Sequence, residues 1–220
     1  MILKEKLIEN YIFFNAKERL NGMKNELEYS AALTGASFLL YEFKQIVRLK
    51  DQGLTDKEIR TKVIKENLFQ YEKLSSIQRG LPSLLRRVHT LDDILRKYVL
   101  EESLEVVKVI NLYAIMKTDR LFFEFMNEVI KEKLETNNYL FEKKDLNTYF
   151  TVKVEQHEDI AQWTEKTIQK LKQVYHKILL ETGMLQHKGS VELNRIYIDN
   201  QLKRYLIELG DAPFVQAMGA

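Results

Sequence analysis

The chain has 220 residues and no cysteine, which excludes disulfides, thiolate metal sites, iron–sulfur clusters and cysteine nucleophiles, and fits a reducing, cytoplasmic setting. Apolar residues make up 45% and charged residues 30%, with only 8 glycines and 2 prolines, a balance that excludes disorder and predicts an all-α, mainly helical protein. The formal charge of +2 conceals a basic stretch: residues 44–97 carry 13 basic and 7 acidic side chains, whereas residues 101–160 carry 8 and 13.

Residues 1–28 read as an appended N-terminal unit, with an amphipathic helix that ends at Asn21-Gly22 and a second candidate start at Met23. Two subdomains are expected after it: a helix-turn-helix-like one over 29–100 and a helical one over 101–220. In the first, Phe38, Ile46 and Leu49 trace helical spacing behind a cap at Thr34 or Ser37, until Gly53 stops the helix. Thr55 and Glu58 then form an S/T-x-x-E capping box. The helix it opens has few apolar positions, Ile59 and Val63, and leaves Lys57, Arg60, Lys62 and Lys65 in water. Ser75 and Gln78 repeat the box, but a helix begun there carries Pro82 in its interior at a cost of about 3 kcal/mol. The spacing therefore predicts a turn closing at Gly80 and a new helix with Pro82 in its first position, where the missing N–H is not needed. Leu84, Val88, Leu91 and Leu95 give that helix a buried stripe, with Arg79 and Arg86 opposite and Arg87 to one side.

In the second subdomain, helices are expected over about 102–116 and 119–135, the latter capped by Thr118 or Asp119, with Phe122 and Phe125 as core. A loop at Asn137-Asn138 leads to a helix from Lys143 or Lys144. Thr164 caps a helix running to about Thr182, ended by Gly183 in the left-handed conformation. Ile168, Leu171 and Ile178 form its apolar side, and Lys166, Lys170, Gln173 and Lys177 form a separate stripe. MLQHKGSVELNRIYI follows and reads as a short β-hairpin around a Gly-Ser turn. A helix followed by a small basic hairpin predicts a winged-helix ending, after which a last helix and a partly apolar tail dock back on the body.

Little in this pattern supports catalysis. TGAS at 34–37 lacks the lysine and second glycine of a phosphate loop, and the four histidines are too scattered for a metal pair. The carboxylates alternate with lysines, and no serine has a nucleophile-elbow context. No enzyme activity, metal or cofactor is expected. The longest run without a charge, Tyr29 to Tyr41, falls short of the roughly 20 residues that cross a bilayer as a helix, so no membrane insertion is expected either. Binding remains, and contact with a phosphate backbone asks for Lys and Arg along a helix face. Two groups qualify: Arg79, Arg86 and Arg87, and the stripe of Lys166, Lys170 and Lys177 with Lys188 in the hairpin.

Several stretches together resemble the BrxA family of BREX bacteriophage-defence systems: YSAALTGASFLLYEFK at 29–44, GLTDKEIRTKVIKENLFQY at 53–71, SSIQRGLPSLLRRV at 75–88, INLYAIMKTDRLFFEFMNEV at 110–129 and WTEKTIQKLKQVYHKILLETGML at 163–185. The resemblance implies an all-helical fold with helix-turn-helix or winged-helix character, partly similar in shape to the NusB antitermination protein. It also implies binding of double-stranded DNA, with methylation and nucleotide hydrolysis left to other components. The expected function is thus a non-enzymatic DNA-binding accessory protein. The alternative is an adaptor that docks another BREX component through its acidic, aromatic middle or its tail, with no DNA contact.

Overall fold

The computed structural model describes residues 27–220; the appended helix expected at 1–22 lies outside them. A 3-10 turn, Ala32–Thr34, precedes helix α1 (Leu40–Asp51). Neither Thr34 nor Ser37 caps α1. Leu39 does so in the left-handed region (φ 48°), because the strap from Ala36 to Leu39 is tied inward by hydrogen bonds to its carbonyls. Gly53 (φ 84°) ends α1 as expected, and the Thr55–Glu58 capping box opens α2 (Asp56–Lys65), with the Thr55 N–H donating to Glu58 Oε2 at 2.8 Å.

Helix α3 (Leu74–His89) departs from expectation, since it runs unbroken through Pro82. Ile77, Leu81, Leu84, Leu85 and Val88 are all buried on both sides of the proline. Burying one such side chain is worth roughly 1.5–3 kcal/mol, so the set outweighs the cost of one interior proline. Gly80 serves close packing rather than a turn: a Cβ there would lie 3.4 Å from the Gly35 carbonyl oxygen. Helix α4 (Asp93–Glu101) follows, capped by Asp92.

The central helix α5 (Leu104–Thr118) is apolar nearly all round and buried from Val109 to Met116, with α1, α3 and α4 packed on it. Asp119 then caps a rod over the expected 119–135, built as α6 (Arg120–Phe125), a π turn (Met126–Ile130) and α7 (Lys131–Glu135). Beside the π turn, buried Glu124 meets Lys153 at 2.6 Å and Arg120 at 2.9 Å, and Lys153 reaches Glu128 at 2.9 Å. The Arg120 guanidinium stacks on the Tyr29 ring, whose hydroxyl meets Glu124 at 3.1 Å and His157 at 2.9 Å. This cluster fastens the start of the described chain to the body. Burial alone would raise the Glu124 pKa, but the Lys153 and Arg120 hydrogen bonds win and hold it below the usual range.

Helices α8 (Lys143–Gln156), α9 (Glu158–Ala161) and α10 (Glu165–Glu181) complete the middle. Thr164 caps α10 and Gly183 (φ 84°) follows it, both as expected. The expected hairpin does not form. No β-strand and no wing occur among the described residues, only an isolated antiparallel bridge between Leu140 and Glu192. The extended segment after Ser190 pairs with the loop before α8: Phe141 N–H donates to Val191 O at 2.6 Å and Leu193 N–H to Tyr139 O at 2.7 Å. The segment before the turn stays with α10, with Leu185 N–H bonding back to Leu179 O at 3.0 Å, and meets the extended segment where Asn194 N–H donates to Met184 O at 2.8 Å.

Helices α11 (Asn200–Glu208) and α12 (Ala212–Ala217) close the chain. The tail docks as expected, burying Phe214, Val215 and Met218, and Asp211 accepts from Tyr113 at 2.6 Å and from Lys117 at 2.9 Å. One buried apolar cluster runs from Leu33 to Met218, across the 100–101 boundary between the two expected subdomains.

Candidate nucleic-acid interface

Helix α10 buries Leu171, Val174, Tyr175, Ile178 and Leu179, and this inner side dictates the outer one. Lys166, Gln169, Lys170, Gln173 and Lys177 are exposed. Lys166, Lys170 and Lys188 have no ion-pair partner among the described residues, whereas Lys177 lies 3.2 Å from Glu181. Beside this face a cleft of about 720 Å³ opens between α8, α10 and the turn that carries Lys188. Lys143, Leu146 and Asn147 of α8 form one wall; Lys172, Gln173, His176 and Lys177 of α10 form the other, and no carboxylate lines it. Lys172 spans the cleft floor, donating to Asn147 Oδ1 at 2.9 Å. Burial, then the fields of Lys143 and Lys188, hold the His176 imidazole below its ordinary pKa, so it is neutral at pH 7.

The expected site residues thus divide. Lys177 and Lys188 meet at the cleft, and Lys166 and Lys170 extend the same helix beyond it. Arg79 and Arg86 are exposed on α3. Arg79 lies over Gly35 at a smaller polar cleft of about 490 Å³, and Arg86 donates to Ser83 at 3.0 Å. Arg87 is not a surface residue at all: it is 1% exposed. Its guanidinium donates to the Phe38 carbonyl at 3.1 Å and to the Ala36 carbonyl, holding the strap that precedes α1. Asn111 joins it on Phe38 O at 2.7 Å. Burial lowers the Arg87 pKa to about 9, still charged at neutral pH, and raises the facing Asp119 to about 7. An arginine so enclosed is out of a phosphate's reach.

Sequence reasoning left Lys143, Lys172 and His176 out of the site. Lys172 and His176 stand off the lysine stripe, and Lys143 belongs to a helix whose approach to α10 no local pattern announces. It also left the exposed basic side of α2 (Lys57, Arg60 and Lys65) out of the site, although the signal was present. Helix α1 is joined to α2 by a short Gly-containing turn, and the two helices pack on one another. Among the described residues no group of three or more His, Asp or Glu is placed to hold a metal, and no helix is long and apolar enough to cross a membrane.

The sequence profile of the BrxA family matches residues 27–210, which include α1 through α11 and every residue of the cleft. The chain belongs to the BrxA family. A relative from Bacillus cereus named BREX protein BrxA is 37% identical, over 89% of this chain and 98% of its own length. BREX protein BrxA from Paramagnetospirillum magneticum is 23% identical, over 83% and 92%. The BrxA fold is also present in the crystal structure of an uncharacterized protein from Magnetospirillum magneticum. That structure has a TM-score of 0.73 and 22% identity over 87% of this chain and 98% of the other.

Proposed function

We propose that the protein is a non-enzymatic, cytoplasmic component of a BREX system that binds double-stranded DNA through basic helix faces. The observation that carries this reading is the α10 face: Lys166, Lys170 and Lys177 lead to Lys188 beside a cleft without carboxylates. Ammonium groups in a row, of which only Lys177 has an ion-pair partner among the described residues, neutralise phosphates, fixing position without reading sequence. Helix α2 and the exposed Arg79 and Arg86 offer a second set of contacts, with α1, the turn and α2 acting as a helix-turn-helix that presents α2 to a groove. For the adaptor alternative, Phe122, Phe125, Phe214 and Met218 are internal, which leaves the exposed Leu104, Leu140 and Val152 as the apolar surface of the middle.

Fluorescence anisotropy with a labelled duplex across a salt series tests the proposal. If about five phosphates are neutralised, log affinity falls with log salt at a slope of about −4 to −5. No binding at low salt, or a flat dependence, refutes it.

A further inference from the structure

The cleft between α8 and α10 differs from the ridge of lysines that continues beyond it. It is a concavity of about 720 Å³, the size of a small-molecule site. Its lining combines three chemistries. Lys143, Lys172, Lys177 and Lys188 bring four ammonium groups, enough to hold a chain of phosphates. Gln173 presents a donor and an acceptor, the complement of a base edge, while Asn147 adds its Nδ2 donor beside the Oδ1 that holds Lys172, and Gln169 adds its Oε1 acceptor beside the Nε2 that donates to Glu165 at 2.6 Å. Leu146 and Leu180 provide an apolar surface for the face of a base, and the neutral His176 ring stands beside them.

We propose that this cleft binds a nucleoside polyphosphate, with the lysines on the phosphates and the amides on the base. The inference goes beyond DNA binding and touches that reading at one point: Lys177 and Lys188 belong to both surfaces, so a bound nucleotide competes with DNA for them. Titration calorimetry with ATP on the full chain, without DNA, is the test, and its failure leaves the duplex reading intact. The expected result is one ATP per chain, bound more tightly than about 1 mM. Inorganic tripolyphosphate binds at least tenfold more weakly. The double variant Lys143→Glu and Lys188→Glu, both exposed and unpaired among the described residues, loses at least tenfold in ATP affinity with an unchanged melting midpoint. Lys97→Glu on α4, the same kind of charge reversal outside the cleft, keeps it. The absence of saturable ATP binding, tripolyphosphate binding as tightly as ATP, or a double variant that binds like the parent overturns the proposal.

Discussion

Helices α3 and α10 carry comparable positive charge and put it to different uses. Near the end of α3, Arg87 turns inward and ties the Ala36–Leu39 strap to the core, with Asp119 facing it at the start of α6. Along α10, Lys166, Lys170 and Lys177 stand in solvent, the first two without an ion-pair partner among the described residues. The difference lies in what the neighbouring chain offers. Two carbonyls left free by an irregular strap claim a guanidinium, whose rigid fork matches them, whereas Lys166 and Lys170 face water and Lys177 meets Glu181 one turn on, beside a cleft lined by further lysines.

The contrast breaks most visibly at Arg87. Arg87→Ala strands the Ala36 carbonyl and an acidic Asp119 in the core, and is expected to cost about 3 kcal/mol in urea unfolding, with no direct effect on DNA contacts. A loss below about 1 kcal/mol would remove the anchoring role. On the other helix, Lys166→Glu with Lys170→Glu is expected to weaken duplex binding at least tenfold at about 0.1 M salt while unfolding at the same urea concentration as the parent.

Asp119 sharpens the inner half of the comparison through pH. Its carboxyl titrates near 7 in the folded chain against roughly 3.9 in an unfolded one, so the folded state keeps a proton that the unfolded state releases. Its contribution to stability is present in full below about pH 4 and is lost as pH rises towards 7. Asp119→Asn keeps the cap and removes the titration. Urea unfolding is expected to favour the variant by about 4 kcal/mol at pH 8, with the advantage gone at pH 4. The smallest effect belongs to Lys177→Gln. Lys177 already shares its charge with Glu181, so the salt slope of duplex binding is expected to flatten by no more than about 0.9.

What was legible in the sequence was local. The Thr55–Glu58 box, the caps at Asp119 and Thr164 and the glycines at 53 and 183 satisfy nearby backbone groups, and each appears where spacing placed it. The misreadings all concern partners distant in the chain. Pro82 stays inside α3 because Leu81, Leu84 and Leu85 gain more from the core than the helix loses. Val191 bonds to Phe141 and Leu193 to Tyr139, so the arms of the expected hairpin share the Asn194–Met184 bond without building a ladder. Arg87 looked like its neighbour Arg86 until the carbonyls some fifty residues earlier came into view. For the candidate site, the stripe on α10 was visible from periodicity, but the cleft was not, because it depends on α8 lying alongside.

The central claim is that the α10 face meets DNA phosphates, and lysine acetylation read by mass spectrometry with and without duplex tests it most directly. The account predicts that Lys166, Lys170, Lys177 and Lys188 become protected when duplex is added while Lys97 and Lys203 react as before. Protection confined to lysines outside α10 and its following turn, or no protection under conditions where the duplex is bound, would contradict it.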